Sequence, residues 1–167
     1  LPKKTSIFIA GLIVFLDLIV ETLRLRIPVF NKFLLNFFQG MYRDFERNNI
    51  SVLIWTLSGG FLTMLLFQDT KIVTVALLYQ VFGDSTAGLV GTLYGRTRLG
   101  NKSLEGSFSC FIVCMVCGIF FLPWQLSLVG ALFAAVIEFI PLPPNDNLWL
   151  PLLSGVVLTF FSGFFTV

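Results

Sequence analysis

Long apolar runs separated by short polar stretches dominate the chain. Six such runs, at residues 5–23, 50–67, 71–93, 104–122, 125–140 and 148–166, approach the ~20 residues a helix needs to cross a bilayer core. Residues 29–47 have a different rhythm. Phe30, Phe33, Leu34, Phe37, Phe38, Met41 and Phe45 recur at three- and four-residue steps, against Asn31, Lys32, Asn36, Gln39, Arg43, Asp44 and Arg47. That pattern predicts an amphipathic helix, lying either in the headgroup layer or against the bundle as a connector. Pro28 opens it, Gly40 interrupts it, and Pro123, Pro141, Pro143 and Pro144 mark later loops. No internal repeat or low-complexity linker divides the chain. The expected fold is all-α: a polytopic membrane helix bundle of about six spanning helices plus one amphipathic helix, forming a single integral membrane domain over residues 1–167.

Composition removes the soluble alternative. Of the 167 residues, 56% are hydrophobic and 12% charged, roughly half the charged share of a soluble domain; mean hydropathy is +0.91. The net charge of +2 is too small to argue for a nucleic-acid partner, and no protein partner is evident. Its distribution says more. If the first segment ends in the cytoplasm, strict alternation places Arg24, Arg26, Lys32, Arg43, Arg47, Arg96, Arg98 and Lys102 on that side, and only Lys3, Lys4 and Lys71 opposite. The positive-inside rule favours this orientation, which puts every polar cluster on one membrane face. The chain opens on Leu1 rather than Met, so its natural start is expected upstream, and no cleavable signal is visible.

The chemistry available is narrow. There is no His, so the commonest general base and metal ligand is missing. Cys110, Cys114 and Cys117 fall at helical spacing in an apolar run and read as packed thiols. The informative stretch is Gly83-Asp84-Ser85-Thr86-Ala87-Gly88, continuing through Gly91 to Gly95, inside a helix otherwise apolar enough to span. A carboxylate there marks a functional site by default. Ala87, Gly88, Gly91 and Gly95 form a small-residue stripe that suits close helix packing or room for a nucleotide. Next comes Gly95-Arg96-Thr97-Arg98-Leu99-Gly100-Asn101-Lys102-Ser103. It fails the P-loop pattern because Asn101 separates Gly100 from Lys102-Ser103, and no strand precedes it. Arg96, Arg98 and Lys102 before a helix start could still hold a polyphosphate, or serve only as topogenic charge. Asp17, Glu21 and Arg24 share a helix face, Arg43 and Glu46 end the amphipathic element, Glu138 lies late in segment five, and Asp146-Asn147 opens segment six. Asp146 suits a helix cap. Clustered carboxylate oxygens at a membrane surface suit Mg²⁺ bound to phosphates.

In order along the chain, Glu21-Thr22-Leu23-Arg24…Pro28, Arg43…Glu46, Gly83-Asp84…Ala87…Gly91…Gly95, Lys102-Ser103-Leu104-Glu105-Gly106-Ser107 and Glu138…Asp146-Asn147…Pro151 resemble the CTP-dependent lipid kinases. These are the diacylglycerol, phytol and dolichol kinases of the polyprenol kinase family. The resemblance implies transfer of the γ-phosphoryl group of CTP to a lipid alcohol, with Mg²⁺ or another divalent cation, from loops on the cytoplasmic side. Diacylglycerol is favoured over phytol or another prenol, because the chain is short for a dolichol kinase. On this reading Asp84, Lys102 and Glu105 are catalytic, and Asp84 binds metal with Glu105 or Asp146. Gly83, Ser85, Gly88, Gly91, Gly95, Arg96, Arg98, Ser103, Gly106 and Ser107 meet the nucleotide. Asp17, Glu21, Arg24, Arg43, Glu46, Glu138 and Asn147 are further polar candidates, with Asp17, Glu21 and Glu138 open as proton acceptors. The family's usual Arg-Lys pair and following His, ahead of an additional membrane helix, have no match here: Lys3-Lys4 is a poor equivalent. That helix either precedes Leu1 or has been altered.

Two rivals fit less well. Phosphatidate cytidylyltransferases share a Lys-Thr/Ser-x-Glu-Gly element, but typically carry a Lys-Asp and His-Gly-Gly signature where this chain has Pro143-Pro144-Asn145-Asp146-Asn147. A small transporter would place charge near the midplane, often between inverted repeats.

Overall fold

The computed structural model describes residues 2–38, 42 and 44–165, and of Asp44 and Phe45 the backbone alone. The expected site residue Arg43, with Gln39, Gly40 and Met41 of the amphipathic element, lies outside the described residues. The helices are α1 (Lys3–Arg26), α2 (Pro28–Phe37), α3 (Val52–Leu66), α4 (Thr70–Leu78), α5 (Ser85–Tyr94), α6 (Leu104–Ile119), α7 (Trp124–Phe139) and α8 (Asp146–Phe165). A two-stranded antiparallel ladder, β1 (Arg98–Leu99) and β2 (Lys102–Ser103), pairs Arg98 with Ser103. A π turn, Tyr79–Asp84, joins α4 to α5, so that Thr70–Tyr94 is one continuous helix. The architecture is all-helical, and every apolar run carries a helix.

Three of the six apolar helices are shorter than the runs suggest. Among the described residues, three helices are long and apolar enough to cross a membrane: Lys3–Arg26, Thr70–Tyr94 and Asp146–Phe165. The other apolar helices, Val52–Leu66, Leu104–Ile119 and Trp124–Phe139, are shorter. At 1.5 Å per residue they reach about 22–24 Å, against a hydrocarbon core of about 30 Å. Hydropathy counts apolar side chains, whereas a helix ends where its backbone turns. Ser51, Phe67, Phe120, Pro123 and Ile140 lie outside those helices.

Apolar side chains cover the outside of the bundle. Phe8, Phe15, Phe108, Leu132 and Phe160 are all exposed, an arrangement water penalises and lipid does not. The interior is small and tight, built on Ile72, Val75, Tyr79, Cys110, Cys114, Leu126, Ala131, Ala134, Leu150 and Leu158. The cysteines are free and packed, as the spacing suggested. Of the amphipathic element, α2 turns Leu34 inward while Phe33 and Phe37 remain exposed.

α1 and α3 run antiparallel. Lys3 at the start of α1 donates to Phe67 O beyond the end of α3 (2.5 Å), while Glu21 near the end of α1 accepts the Ser51 N–H at the start of α3 (2.7 Å). The ends of α1, α5 and α7 and the starts of α3, α6 and α8 gather at one end of the bundle.

A charged clasp closes part of that end. Arg24 is fully buried and grips Glu21 in a two-pronged contact, Nε to Oε2 at 2.9 Å and Nη2 to Oε1 at 2.6 Å. Its remaining donors reach Glu46 O (2.8 Å) and Asn49 O (2.6 Å), and the Tyr42 ring lies 5.3 Å away. Glu46 accepts the Val52 N–H at 2.6 Å. Two carboxylates thus take N–H groups at the start of α3, where the helix dipole favours negative charge. We predict that Arg24→Ala, which strands Glu21 without its cation, costs about 3–5 kcal/mol. Thermal unfolding in detergent should show a large drop in Tm, and Arg24→Lys should recover only part of it because lysine lacks the fork.

Candidate active site

At the same end of the bundle a cleft of about 1360 Å³ opens between α5, the β1–β2 hairpin, the start of α6, the end of α7 and the 141–147 loop. Asp84, Glu138 and Asp146 meet in it, with a carboxylate oxygen from each within 4.8 Å of the others. Lys102 bridges two of them: its ammonium donates to Glu138 Oε1 at 2.5 Å and pairs with Asp146 Oδ2. Burial opposes the Lys102 charge, but Glu138 and then Asp146 outweigh it and hold its pKa above the ordinary lysine value.

Each of these residues is placed by a local feature. Asp84 closes the π turn, whose extra residue offsets the faces of α4 and α5. Glu138 stands in the last turn of α7, and its Oε2 is buried with no hydrogen-bond partner among the described residues. Asp146 is the first residue of α8, so the cap position falls to Asn145, whose Oδ1 accepts the Asn147 N–H at 3.0 Å. The expectation that Asp146 caps the helix is corrected in part: its Oδ1 also takes that N–H (3.1 Å), but its Oδ2 faces Lys102. Trp149 pins the preceding loop by donating to Pro143 O at 2.8 Å.

Gln80, which sequence reading passed over, ties the assembly together. Its side-chain amide donates to Thr56 O (3.0 Å) and to Asn147 O (2.7 Å), linking the π turn to α3 and α8. Asn147 O is available because its helical partner four residues on is Pro151, which has no N–H. Gly59 gives α8 room to approach, since a Cβ there would stand 2.8 Å from Asn147 O. A glutamine in an apolar helix and a proline inside another were the available signals.

The glycine stripe divides between the two readings it left open. A Cβ on Gly106 would stand 2.6 Å from Ala87 O, and one on Gly91 would stand 2.8 Å from Ser103 Oγ. Gly95 is likewise crowded by Ser103, and Gly83 by Cys110 and Cys114. Those four glycines allow close packing of helices. Gly88 has nothing within 4 Å and lines the cleft; it is the open floor. Ser85, Gly91, Arg98, Ser103, Gly106, Ser107 and Asn147 also line the cleft, together with Gly100 and Asn101 at the hairpin tip. Ser103 caps α6 by accepting the Gly106 N–H at 3.1 Å.

Several expected residues stand elsewhere. Glu105 does not line the cleft; its carboxylate accepts the Thr97 N–H at 3.2 Å and so braces the hairpin. Glu138 stands in the carboxylate group where Glu105 was expected, because the first turn of α6 points successive side chains in different directions. Arg96 is exposed and Gly95 and Gly83 are outside the lining. Arg98 lines the cleft while donating to Gly95 O and Gly91 O at the end of α5 (3.2 and 3.1 Å). Asp17, Glu21, Arg24 and Glu46 are not among the lining residues. The last three serve the clasp described above, and Asp17 keeps a buried Oδ2 on α1 that has no hydrogen-bond partner among the described residues.

Over 145 residues the chain is 28% identical to CTP-dependent diacylglycerol kinase 1 of Schizosaccharomyces pombe, spanning 84% of this chain and 62% of that protein. The chain is a distant relative of a lipid kinase. It is also 28% identical over 163 residues to an uncharacterized protein of Rickettsia prowazekii, spanning 90% of this chain and 79% of that one. No family model and no solved structure matches the chain. The aligned region includes less than two thirds of the yeast kinase's own length.

The glycines give a paired test. Gly106→Ala must push α5 from α6 and should cost about 1–3 kcal/mol. Gly88→Ala meets open space in a helix and should leave Tm unchanged or raise it, by up to about 1 kcal/mol of stability. Unfolding midpoints of the two purified variants in detergent check the contrast.

Proposed function

We propose that the protein is an integral membrane lipid kinase that transfers the γ-phosphoryl group of CTP to the hydroxyl of a lipid alcohol, diacylglycerol in the first instance. The observation that carries this reading is the meeting of Asp84, Glu138 and Asp146 around Lys102 in a wide cleft at one end of an apolar bundle. The similarity to the yeast kinase supplies the donor and the substrate class. All six apolar helices are taken to cross the bilayer, the short ones with local thinning or flanking side chains making up the length. The cleft then faces the cytoplasm, as the basic residues favour.

The carboxylates suit a divalent cation such as Mg²⁺. Asp84, Glu138 and Asp146 each bring a carboxylate oxygen within 4.8 Å of the others, beside the Lys102 ammonium. Hard oxygens at this spacing match the needs of Mg²⁺. Bound there by Asp84 and Asp146, the ion would neutralise charge on the phosphates, leaving Glu138 Oε2 for another role.

The chain's own residues account for the rest. Phosphoryl transfer depends chiefly on positioning and charge neutralisation. Lys102 and Arg98 neutralise the triphosphate, and Gly88 lets the nucleotide lie close to the α5 backbone. Of the three carboxylates considered as proton acceptors, Glu138 is the one that lines the cleft. Its unpartnered oxygen takes the hydroxyl proton as the lipid oxygen attacks.

Purified protein given γ-labelled CTP or ATP with a panel of lipid alcohols should label diacylglycerol, from CTP, only with a divalent cation present. Asp84→Asn should lower turnover by roughly a hundredfold or more, leave membrane insertion intact, and weaken Mn²⁺ binding by at least about tenfold in an electron-paramagnetic titration. Near-normal turnover in that variant would remove Asp84 from the mechanism.

A further inference from the structure

A second hollow lies beside the cleft. It encloses about 430 Å³ between α6 and α7 and is lined almost entirely by apolar side chains, among them Phe108, Phe111, Leu132, Ala135 and Val136. Ser107 lines both spaces, so the groove begins where the polar cleft ends. Helical spacing carries it downward from there. Phe111 lies one turn below Ser107 on α6, and Ala135 one turn below Glu138 on α7. Phe108, Leu132 and Val136 are exposed on the bundle's outer surface, so the groove opens sideways, toward acyl chains once the helices are embedded.

We propose that this groove holds one hydrocarbon chain of the lipid alcohol and so fixes its hydroxyl at Glu138. The inference rests on the lipid-kinase reading for the identity of the headgroup. Continuity with the carboxylate cleft decides the occupant. A chain seated on Ala135 and Phe111 places its headgroup one helical turn higher, at Ser107 and Glu138, where a hydroxyl finds acceptors. A phosphocholine headgroup at that level would bring its phosphate against Glu138 and Asp146, which like-charge repulsion disfavours. The small side chain of Ala135 makes the room. A second chain, where the substrate has one, stays in the bilayer.

The test uses the full chain in phosphatidylcholine nanodiscs and a diacylglycerol bearing a diazirine midway along one acyl chain. After irradiation, adducts should concentrate on residues 107–111 and 132–139 of the wild type. Excess unlabelled diacylglycerol should displace them and added phosphatidylcholine should not. Ala135→Phe, which fills the groove, should reduce adducts there by roughly tenfold and raise the KM for dioleoylglycerol by a similar factor, with the KM for CTP unchanged. Val136→Trp, at an exposed position, provides the same block if Ala135→Phe does not fold. Adducts spread evenly over the lipid-facing surface, or displaced equally by phosphatidylcholine, would overturn the groove. Labelling needs no turnover, which separates the two claims. Groove adducts on a protein that phosphorylates no lipid would refute the kinase reading alone, and phosphorylation without groove adducts would refute the groove alone.

Discussion

One lysine shared by two carboxylates organises this end of the molecule. Lys102 comes from the β1–β2 hairpin, Glu138 from the end of α7 and Asp146 from the start of α8. None of the three would be tolerated alone so close to an apolar interior, because desolvating an isolated charge costs several kcal/mol. Their mutual attraction fixes the hairpin against two helix ends, and the space beside them is where Asp84 arrives from the π turn. The same contacts therefore shape the cleft.

The second constraint is backbone hydrogen bonding in a medium without water. Each N–H or C=O that a helix leaves unsatisfied must find a partner inside the protein. Pro151 leaves Asn147 O without its helical donor, and Gln80 supplies one from across the bundle. Ser51 and Val52 give their N–H groups to Glu21 and Glu46. These repairs are long-range, so they also lock helix positions. The orientation of α8, and with it the placing of Asp146, depends on a side chain 67 residues away.

Much of the site could be read from residue type and spacing, and the reason is energetic. A charged residue in an apolar run is costly enough to be conspicuous, which is why Asp84, Glu138, Asp146, Lys102 and Arg24 stood out before any coordinates. Division of labour among them was not legible. Glu105 and Glu138 are both glutamates near helix ends, yet one braces Thr97 and the other enters the cleft, because helical phase relative to neighbours decides direction. The clasp of Glu21, Arg24 and Glu46 was indistinguishable from site chemistry for the same reason. Gln80 was missed since an uncharged polar residue in a long apolar run raises little signal, and the π turn has no pattern of its own.

The amino-acid sequence by itself determined the solvent this protein folds in, the helical class, the positions of the apolar helices and the set of residues able to bear charge. Those follow from local quantities: transfer free energy, helical periodicity and the location of prolines and glycines. Tertiary structure alone decided where each helix stops, which glycines pack and which leaves open floor, and which carboxylates share a cation. These depend on distances between residues far apart in the chain, and electrostatic and steric energies change over an ångström or two, a scale that spacing along a sequence does not encode.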